Sequence, residues 1–500
     1  MRRLALTLFV LQAALALAEP LDPLRFSVTW DAALYRGPFS GRVVIYFGKG
    51  TGEPRFGPDW LKPQPIASSQ FKAVRPGEQM LITDANCIGF PSKLGALAAG
   101  KYTVQAVIDR NLGGRAIGES PGNLYSNPVE LTLDPTTSGK VAIRCDQVVP
   151  EPKFVNTRHV REVSVLSSLL SKWYGRPTRV SGAVMLPEAY FKEPKRRFPI
   201  LYVVPGFGGN HYQMSGKDQG GGNLVDGEPF IQVALNPDCP TGHCVFADSA
   251  NNGPWGAALV TEFIPRLEKQ YRSYNDAGAR YVGGHSSGGW SSLWLQITYP
   301  NVFGGVWSTS PDPVDFRNFQ YIDLYKPGTN MFVDERGERR PLARFGLKPM
   351  LYYKPFSDME RPIRGEQLGS FEAVFSPKGP GGEPMKLWDR DTGAIDTKVA
   401  LAWERYDIDL ILRRHWKSLG PKLAGKLHVY TGSEDTFYLE GAVKLLATDL
   451  KALGSDAKVE LFPGDHMTVM TAALRKRMDH EMAERFRHWR ARHGKARAAA

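Results

Sequence analysis

A glycine-rich turn near the middle of the chain most constrains its fold. The sequence G-H-S-S-G at residues 284–288 follows a β-type run, residues 279–283, and precedes a helix-type run, residues 290–295. G-x-S-x-G between a strand and a helix is typical of a nucleophile elbow, in which a sharp turn lifts the serine hydroxyl off the sheet. Ser286 is therefore the predicted nucleophile. Ser287 is a poor competitor, since shifting the frame by one puts a histidine at the first glycine position.

Two loops near the C-terminus carry the residue types that an activated serine needs. A serine hydroxyl needs a general base, and the base needs an orienting carboxylate, in the chain order Ser, acid, His and beyond the carboxyl ends of strands. Strand-type residues 426–431 run into a loop with two acids, and the next strand-type run ends just ahead of His466. We predict His466 as the base and Asp435 as its carboxylate. Glu434 is the main alternative acid, and Asp312, after an earlier strand, is a weaker one.

A second glycine-rich loop could supply part of an oxyanion hole. The oxyanion that forms when a serine attacks a carbonyl group needs hydrogen-bond donors that are already in position. One predicted donor is the backbone N–H of Ser287, directly after the nucleophile. The other is the N–H of Phe207, with Gly206 as neighbour, in the loop after the apolar run at residues 199–204. A phosphate-binding P-loop is a poor alternative because no Gly-Lys-Ser/Thr ending is present.

The chain divides into two regions by its hydrophobic pattern. Residues 26–148 are short β-type runs separated by turn residues, which predicts an immunoglobulin-like β-sandwich domain over residues 19–150. A proline-containing linker follows, and strand-type and helix-type runs then alternate through residues 151–500, which predicts an α/β doubly wound sheet. The long Pro- and Gly-rich run at residues 311–422 breaks that alternation and is predicted to be an insertion or lid.

The N-terminus has the pattern of a cleavable secretory signal over residues 1–18: two arginines, an apolar stretch and small residues near the end. The alternative is a buried or membrane-anchoring helix. No later apolar run reaches the length of a membrane span, so we expect a secreted or periplasmic protein with no integral membrane segment after cleavage.

Four cysteines in such a compartment favour disulfides, with Cys239 paired to Cys244 and Cys87 to Cys145 by sequence proximity. A zinc site at Cys239, His243 and Cys244 is the alternative, but it lacks a second ligand pair at usable spacing. The segment Asp389-Arg390-Asp391-Thr392-Gly393 fits a turn better than a calcium loop. We predict no cofactor and no metal.

The sequence has 63 Lys and Arg against 51 Asp and Glu, an excess of 12 positive charges. The basic residues are dispersed except near the C-terminus, residues 475–497, where a solvated helix or tail explains them better than nucleic-acid binding. Weak adhesion to an anionic surface is the alternative. No nucleic-acid partner is predicted, and the oligomeric state stays open.

At several of these motifs the chain resembles the esterase branch of α/β-hydrolases that includes esterase D, feruloyl, acetylxylan and enterochelin esterases and mycolyltransferases. The matching pieces lie at residues 183–187, 201–209 and 284–289 and in the two C-terminal loops. The resemblance implies hydrolysis of small-molecule or carbohydrate esters through an acyl-enzyme, without a cofactor. An N-terminal sandwich is similar to the layout of enterochelin esterases, whereas the long insertion is a departure.

Two other functions remain open. An acyltransferase would pass the same acyl group to a sugar hydroxyl, and a carbohydrate-binding protein would keep the fold without catalysis. Aromatic side chains near the predicted site could contact a sugar or an acyl group, although packing roles are commoner for such residues: Phe207, Tyr212, Trp255 and Trp290.

Overall fold

The computed structural model describes residues 21–218 and 224–497. The predicted signal segment lies outside the described residues. Ten strands come first in the described chain: β1 Arg25–Trp30, β2 Phe39–Gly48, β3 Ile66–Val74, β4 Met80–Ile82, β5 Ile88–Phe90, β6 Gly100–Asp109, β7 Leu124–Tyr125, β8 Val129–Leu133, β9 Lys140–Cys145 and β10 Gln147–Val148.

These ten strands, which we call the N-terminal unit, form two sheets. One has the order β4-β1-β9, and the other has the order β10-β7-β6-β2-β3-β5 with β8 also paired to β6. A single hydrophobic cluster draws on both sheets, because Phe26 of β1 and Ile143 of β9 lie in it with Val43 of β2 and Val104 of β6. The alternating β-type runs in the sequence are strands here, while the immunoglobulin-like assignment stays a prediction.

The remaining strands include those of the central sheet: β11 Val160–Leu166, β12 Arg179–Met185, β13 Ile200–Val204, β14 Leu224–Val225, β15 Glu228–Pro229, β16 Ile231–Leu235, β17 Asp238–Cys239, β18 Gly242–His243, β19 Asp248–Ser249, β20 Gly253–Pro254, β21 Arg280–His285, β22 Gly305–Thr309, β23 Pro341–Phe345, β24 Lys348–Tyr352, β25 Leu427–Gly432 and β26 Lys458–Phe462. The central sheet has eight strands in the order β11-β12-β16-β13-β21-β22-β25-β26. Its first two pairings are antiparallel and the other five are parallel.

The helices follow in chain order: α1 Ser168–Tyr174, α2 Ala189–Lys192, α3 Trp255–Ala258, α4 Ile264–Gln270, α5 Ser287–Thr298, α6 Tyr353–Glu360, α7 Gln367–Phe375, α8 Thr397–Trp403, α9 Ile408–Leu423, α10 Glu440–Ala452 and α11 Ala472–Arg497. A π-helical turn, Leu259–Phe263, joins α3 to α4 just ahead of Pro265. Proline lacks the N–H for a regular helical hydrogen bond, and a wider turn accommodates that loss. The π turn thus lies where the proline interrupts the regular helix.

Both faces of the central sheet are covered, as the uninterrupted apolar strands predict. Val282, Val306 and Val429 point into the large cluster that also contains α5, α9 and α10 side chains. Their chain neighbours Tyr281, Trp307 and Tyr430 point the other way, into a cluster with α11. The carboxyl ends of the six parallel-paired strands β13, β16, β21, β22, β25 and β26 thus lie at one edge of the sheet.

The predicted insertion at residues 311–422 is an ordered layer. It contains the hairpin of β23 and β24 and the helices α6 to α9. Helix α9 packs against α5 and α10, so it serves as the crossover helix between β22 and β25. The segment predicted as a possible calcium loop is a turn, because the Asp389 carboxylate accepts the backbone N–H groups of Asp391 and Thr392.

The predicted disulfides are not formed: Cys87, Cys145, Cys239 and Cys244 are all free and buried. In the hairpin of β17 and β18, Cys239 stands opposite Gly242, so Cys244 is its diagonal neighbour. Diagonal positions across a hairpin are about 7–8 Å apart, too far for a bridge without backbone movement. Sequence proximity was the wrong guide to this pair.

The basic C-terminal run forms helix α11, and one of its faces packs through Phe486 and Met482 against the central sheet. Three of its arginines form ion pairs with other parts of the chain: Arg477 with Glu460, Arg487 with Asp226 and Arg490 with Glu228. Across the described part of the chain, no helix combines the length and the apolar character needed to cross a bilayer.

Candidate active site

Ser286 lies at the tip of the turn from β21 into α5. Its backbone has φ 60° and ψ −127°, a conformation that costs about 1–3 kcal/mol for a residue with a side chain. The Ser286 N–H donates to Thr309 O of β22 at 3.0 Å, which holds the turn against the neighbouring strand. A Cβ at Gly288 would lie 1.9 Å from Val204 O, so only glycine lets α5 approach β13 this closely.

His466 and Asp435 come together from the loops after β26 and β25. Asp435 Oδ2 lies 2.8 Å from His466 Nδ1, and both side chains are buried. The other carboxylate oxygen of Asp435 accepts the N–H of Phe437 at 2.8 Å, which fixes the carboxylate in its own loop. Glu434, the main alternative, is exposed to solvent. Of the two acids in this loop, Asp435 is the one that contacts the histidine.

Asp312, the weaker alternative, has a different partner. Its Oδ2 accepts the hydroxyl of Ser287 at 2.5 Å and the amide of Gln367 at 3.4 Å. Burial raises the pKa of Asp312 to about 6, against the opposing effect of the Ser287 hydrogen bond. A second carboxylate therefore lies beside the nucleophile elbow, bonded to the residue after the nucleophile and not to His466.

His285, inside the elbow motif, is a site residue that the sequence analysis did not single out. Its ring centroid lies 4.5 Å from that of His466, and its Nδ1 lies 3.1 Å from Thr309 Oγ1. Burial, together with a smaller effect of the nearby His466, lowers the pKa of His285 to about 4. The ring is neutral at physiological pH, so it fills space beside His466 without adding charge.

The predicted oxyanion donors lie on either side of Ser286. The N–H of Ser287 belongs to the first turn of α5, where amide groups have no partner within the helix. Phe207 and Gly206 lie in the loop after β13 and line the same cavity as Ser286. This loop and the α5 N-terminus therefore both border the space beside the serine.

His243 supports the loop that carries Phe207. Its Nδ1 accepts the N–H of Val245 at 3.0 Å, so the proton is on Nε2, which donates to Pro205 O at 2.9 Å. Burial lowers the pKa of His243 to about 4, which keeps this tautomer neutral. From the sequence, His243 was considered only as a zinc ligand, because no sequence pattern predicts its hydrogen bond to Pro205.

A cavity of about 260 Å³ opens over Ser286 and His466. Its wall is largely apolar and comes from three parts of the chain: Trp60 of the N-terminal unit; Gln320, Leu342, Phe356, Gln367, Leu368 and Phe371 of the predicted insertion; and Phe207, Asp312, Phe437 and Met467 of loops at the sheet edge. The sequence patterns did not predict that Trp60 or any of these insertion residues line the site.

Of the four aromatic residues near the predicted site, only Phe207 lines this cavity. Tyr212 and Trp255 line a separate cleft of about 460 Å³ beside the N-terminal unit. Trp290 is 1% exposed and packs in the core against Trp294. Packing is therefore the role of Trp290.

A cluster of three carboxylates, Asp315, Asp409 and Asp449, is a candidate for a metal by composition. Nη2 of Arg317 lies 2.5, 3.0 and 2.6 Å from the three carboxylates, respectively. The guanidinium occupies the position that a cation would take, and the cluster ties the insertion to α9 and α10.

A comparison with protein families bears on the class of this site. A family model described as "Putative esterase" matches residues 174–408, which is 235 of the 500 residues. Over this range the chain is similar to that esterase family. The matched range contains Ser286 and the Phe207 loop and ends ahead of Asp435 and His466. The match supports a carboxylic-ester hydrolase.

Solved structures similar to this chain include a ferulic acid esterase, with 14% identity, 66% of this chain and 99% of that chain covered, and a TM-score of 0.41. Another is FphF, a fluorophosphonate-binding serine hydrolase of Staphylococcus aureus, with 13% identity, coverages of 65% and 97%, and a TM-score of 0.40. A third is an S-formylglutathione hydrolase from Agrobacterium tumefaciens, with 15% identity, coverages of 66% and 98%, and a TM-score of 0.38.

Proposed function

We propose that the chain is an exported serine esterase that cleaves small-molecule or carbohydrate esters through an acyl-enzyme, with Ser286 as nucleophile, His466 as general base and Asp435 as the orienting acid. One observation carries the proposal: His466, joined to the buried Asp435 at 2.8 Å, lines the same cavity as the serine of the strained elbow. The N-terminal unit, as a β-sandwich, and export through residues 1–18 belong to the same proposal.

In the proposed first step, His466 Nε2 takes the proton of the Ser286 hydroxyl as the oxygen attacks the ester carbonyl. Asp435 accepts the Nδ1–H of His466, which fixes the imidazole tautomer and stabilises the imidazolium that forms. The N–H groups of Ser287 and Phe207 donate to the oxyanion. The intermediate collapses when His466 returns the proton to the departing alcohol, and water then releases the acyl group by the same sequence.

The proposal predicts that a fluorophosphonate probe attaches to Ser286. Peptide mapping of the labelled protein should find the adduct on that residue, and Ser286→Ala should abolish it. Ser287→Ala is the matched control, because it removes a neighbouring hydroxyl and keeps the backbone N–H; the label should persist. Turnover of p-nitrophenyl acetate should fall by about 10⁴-fold or more in Ser286→Ala.

Equal turnover by the wild type and Ser286→Ala would refute the proposed nucleophile. A wild-type chain that takes no probe and hydrolyses no ester would instead support a carbohydrate-binding role. Product analysis with and without a sugar acceptor separates hydrolysis from acyl transfer, because only a transferase gives an acylated sugar.

A further inference from the structure

Trp60 reaches the cavity from outside the central sheet. Its ring lies 5.8 Å from that of Phe207 and 4.9 Å from that of Phe356, nearly perpendicular to the latter at 86°. The indole N–H donates to Glu366 Oε2 at 3.0 Å. Although Trp60 belongs to the N-terminal unit by sequence, it packs against the hydrophobic cluster of the central sheet. It therefore contacts the residue proposed to supply the second oxyanion donor.

The partner of Trp60 is itself held by the N-terminal unit. Glu366 lies 3.5 Å from Arg115, whose guanidinium lies over the Phe207 ring at 4.8 Å from its centroid. Two residues earlier, Arg364 makes a bidentate ion pair with Asp109 of β6, at 2.6 and 2.7 Å. These contacts fix residues 363–368, which lead into the first turn of α7, to the N-terminal unit.

The other side of this segment faces the catalytic residues. Gln367 Nε2 donates to Ser287 Oγ at 3.3 Å and lies beside Asp312, while Leu368 lines the cavity. One short segment thus joins the N-terminal unit on one side and the elbow on the other. Contacts with the N-terminal unit on one side and with the elbow on the other therefore fix this segment, and with it the position of Trp60 in the cavity wall.

The proposed mechanism assigns the two parts of the ester, the alcohol and the acyl group, to different sides of the cavity. His466 protonates the departing alcohol, so the alcohol leaves past its ring, whose aromatic neighbours are His285 and Phe437. Trp60 instead contacts Phe207, on the oxyanion-loop side. An acyl group that remains on Ser286 and points away from His466 would therefore extend toward Trp60.

We propose that Trp60 is a specificity-determining residue that closes the acyl side of the cavity and limits the length of the acyl group, so that the N-terminal unit forms part of the active site. This inference rests on the proposed function. An indole at the end of a cavity of about 260 Å³ leaves room for a short acyl group, and a smaller side chain there extends the apolar space.

The test is a series of p-nitrophenyl esters from acetate to octanoate, which keeps the leaving group constant. Each methylene that Trp60→Ala newly buries should raise kcat/KM about fourfold. The ratio of kcat/KM for hexanoate to that for acetate should therefore rise at least about tenfold over wild type. Leu61→Ala is the matched control, since the adjacent Leu61 is 60% exposed and should leave the profile unchanged.

Two further variants keep the test sound if Trp60→Ala folds poorly. Trp60→Leu should shift the profile in the same direction by a smaller factor. Trp60→Phe, which keeps an aromatic ring against Phe356 but loses the N–H donor and part of the indole volume, should shift the profile least of the three variants.

Trp60→Ala and Trp60→Leu profiles that parallel the wild type, with every ester scaled by one factor, would show that Trp60 is only structural and would overturn the inference. In that case, labelling of Ser286 by the fluorophosphonate probe would leave the proposed function standing. A wild-type chain that hydrolyses none of the esters and takes no probe would overturn both.

Discussion

Asp435→Asn tests which of three acids serves the histidine. The carboxylate lies 2.8 Å from His466 Nδ1 in a buried pair, so in the transition state a negative charge faces a forming imidazolium. Two unit charges about 4 Å apart interact by about 4 kcal/mol at an effective dielectric constant of about 20, which corresponds to about 10³-fold in rate. An asparagine also permits the wrong imidazole tautomer, which brings the expected loss in kcat to about 10³–10⁴-fold.

The structure supplies two matched controls for this substitution. Asp312→Asn should lower kcat less than tenfold, because its carboxylate contacts Ser287 and not His466. Glu434→Gln should have no measurable effect, because the side chain is exposed. The fold of Asp435→Asn should persist, since an asparagine oxygen can still accept the Phe437 N–H.

The assay is the turnover of p-nitrophenyl acetate per active site, with near-UV circular dichroism and urea unfolding as checks on the fold. The reasoning would be refuted by an Asp435→Asn enzyme within tenfold of wild type. A loss in Asp312→Asn as large as that expected for Asp435→Asn would assign the orienting role to Asp312 instead.

Two further predictions concern stability. Burial raises the pKa of Asp312 from 3.8 to about 6, so the folded protein favours the protonated carboxyl. The contribution of this group to the free energy of unfolding is fully present below pH 3.8 and is lost as the pH rises through 6. Asp312→Asn should therefore gain up to about 3 kcal/mol over wild type at pH 8 and nothing at pH 4, measured by urea unfolding at both pH values; equal differences at the two would contradict this. Arg317→Met should cost about 1–3 kcal/mol at pH 7, because it removes the one-third-exposed cation that Asp315, Asp409 and Asp449 share. The cost should shrink at low pH as the carboxylates take up protons, and a pH-independent loss would point to packing instead.

The sequence predicts the centre of the site well because each part has a local signature. The elbow is a fixed spacing of glycines around Ser286 between a strand and a helix, and the loops of Asp435 and His466 directly follow apolar strands. Parallel strands bring their carboxyl ends to one edge, so these distant residues meet without further information. The choice between Asp435 and Glu434 depended only on which one is buried beside the histidine.

The sequence does not predict the cavity wall. Trp60 lies in an irregular segment of the N-terminal unit, where no periodicity reports a contact with Phe207. The insertion is rich in Pro and Gly, which indicates turns and hides the helices that carry Phe356 and Gln367. The disulfide prediction was wrong for a related reason, since separation along the chain does not give the cross-strand register of Cys239 and Cys244.

The backbone conformation at Ser286 places thermal stability and catalytic activity in conflict. The positive φ at this position costs about 1–3 kcal/mol with a serine side chain and much less with glycine. Laboratory evolution for thermal tolerance alone would thus favour a glycine at the one position where the proposed chemistry requires a hydroxyl. A screen for hardier variants of this protein should demand activity in every round, or it will enrich well-folded chains that no longer react.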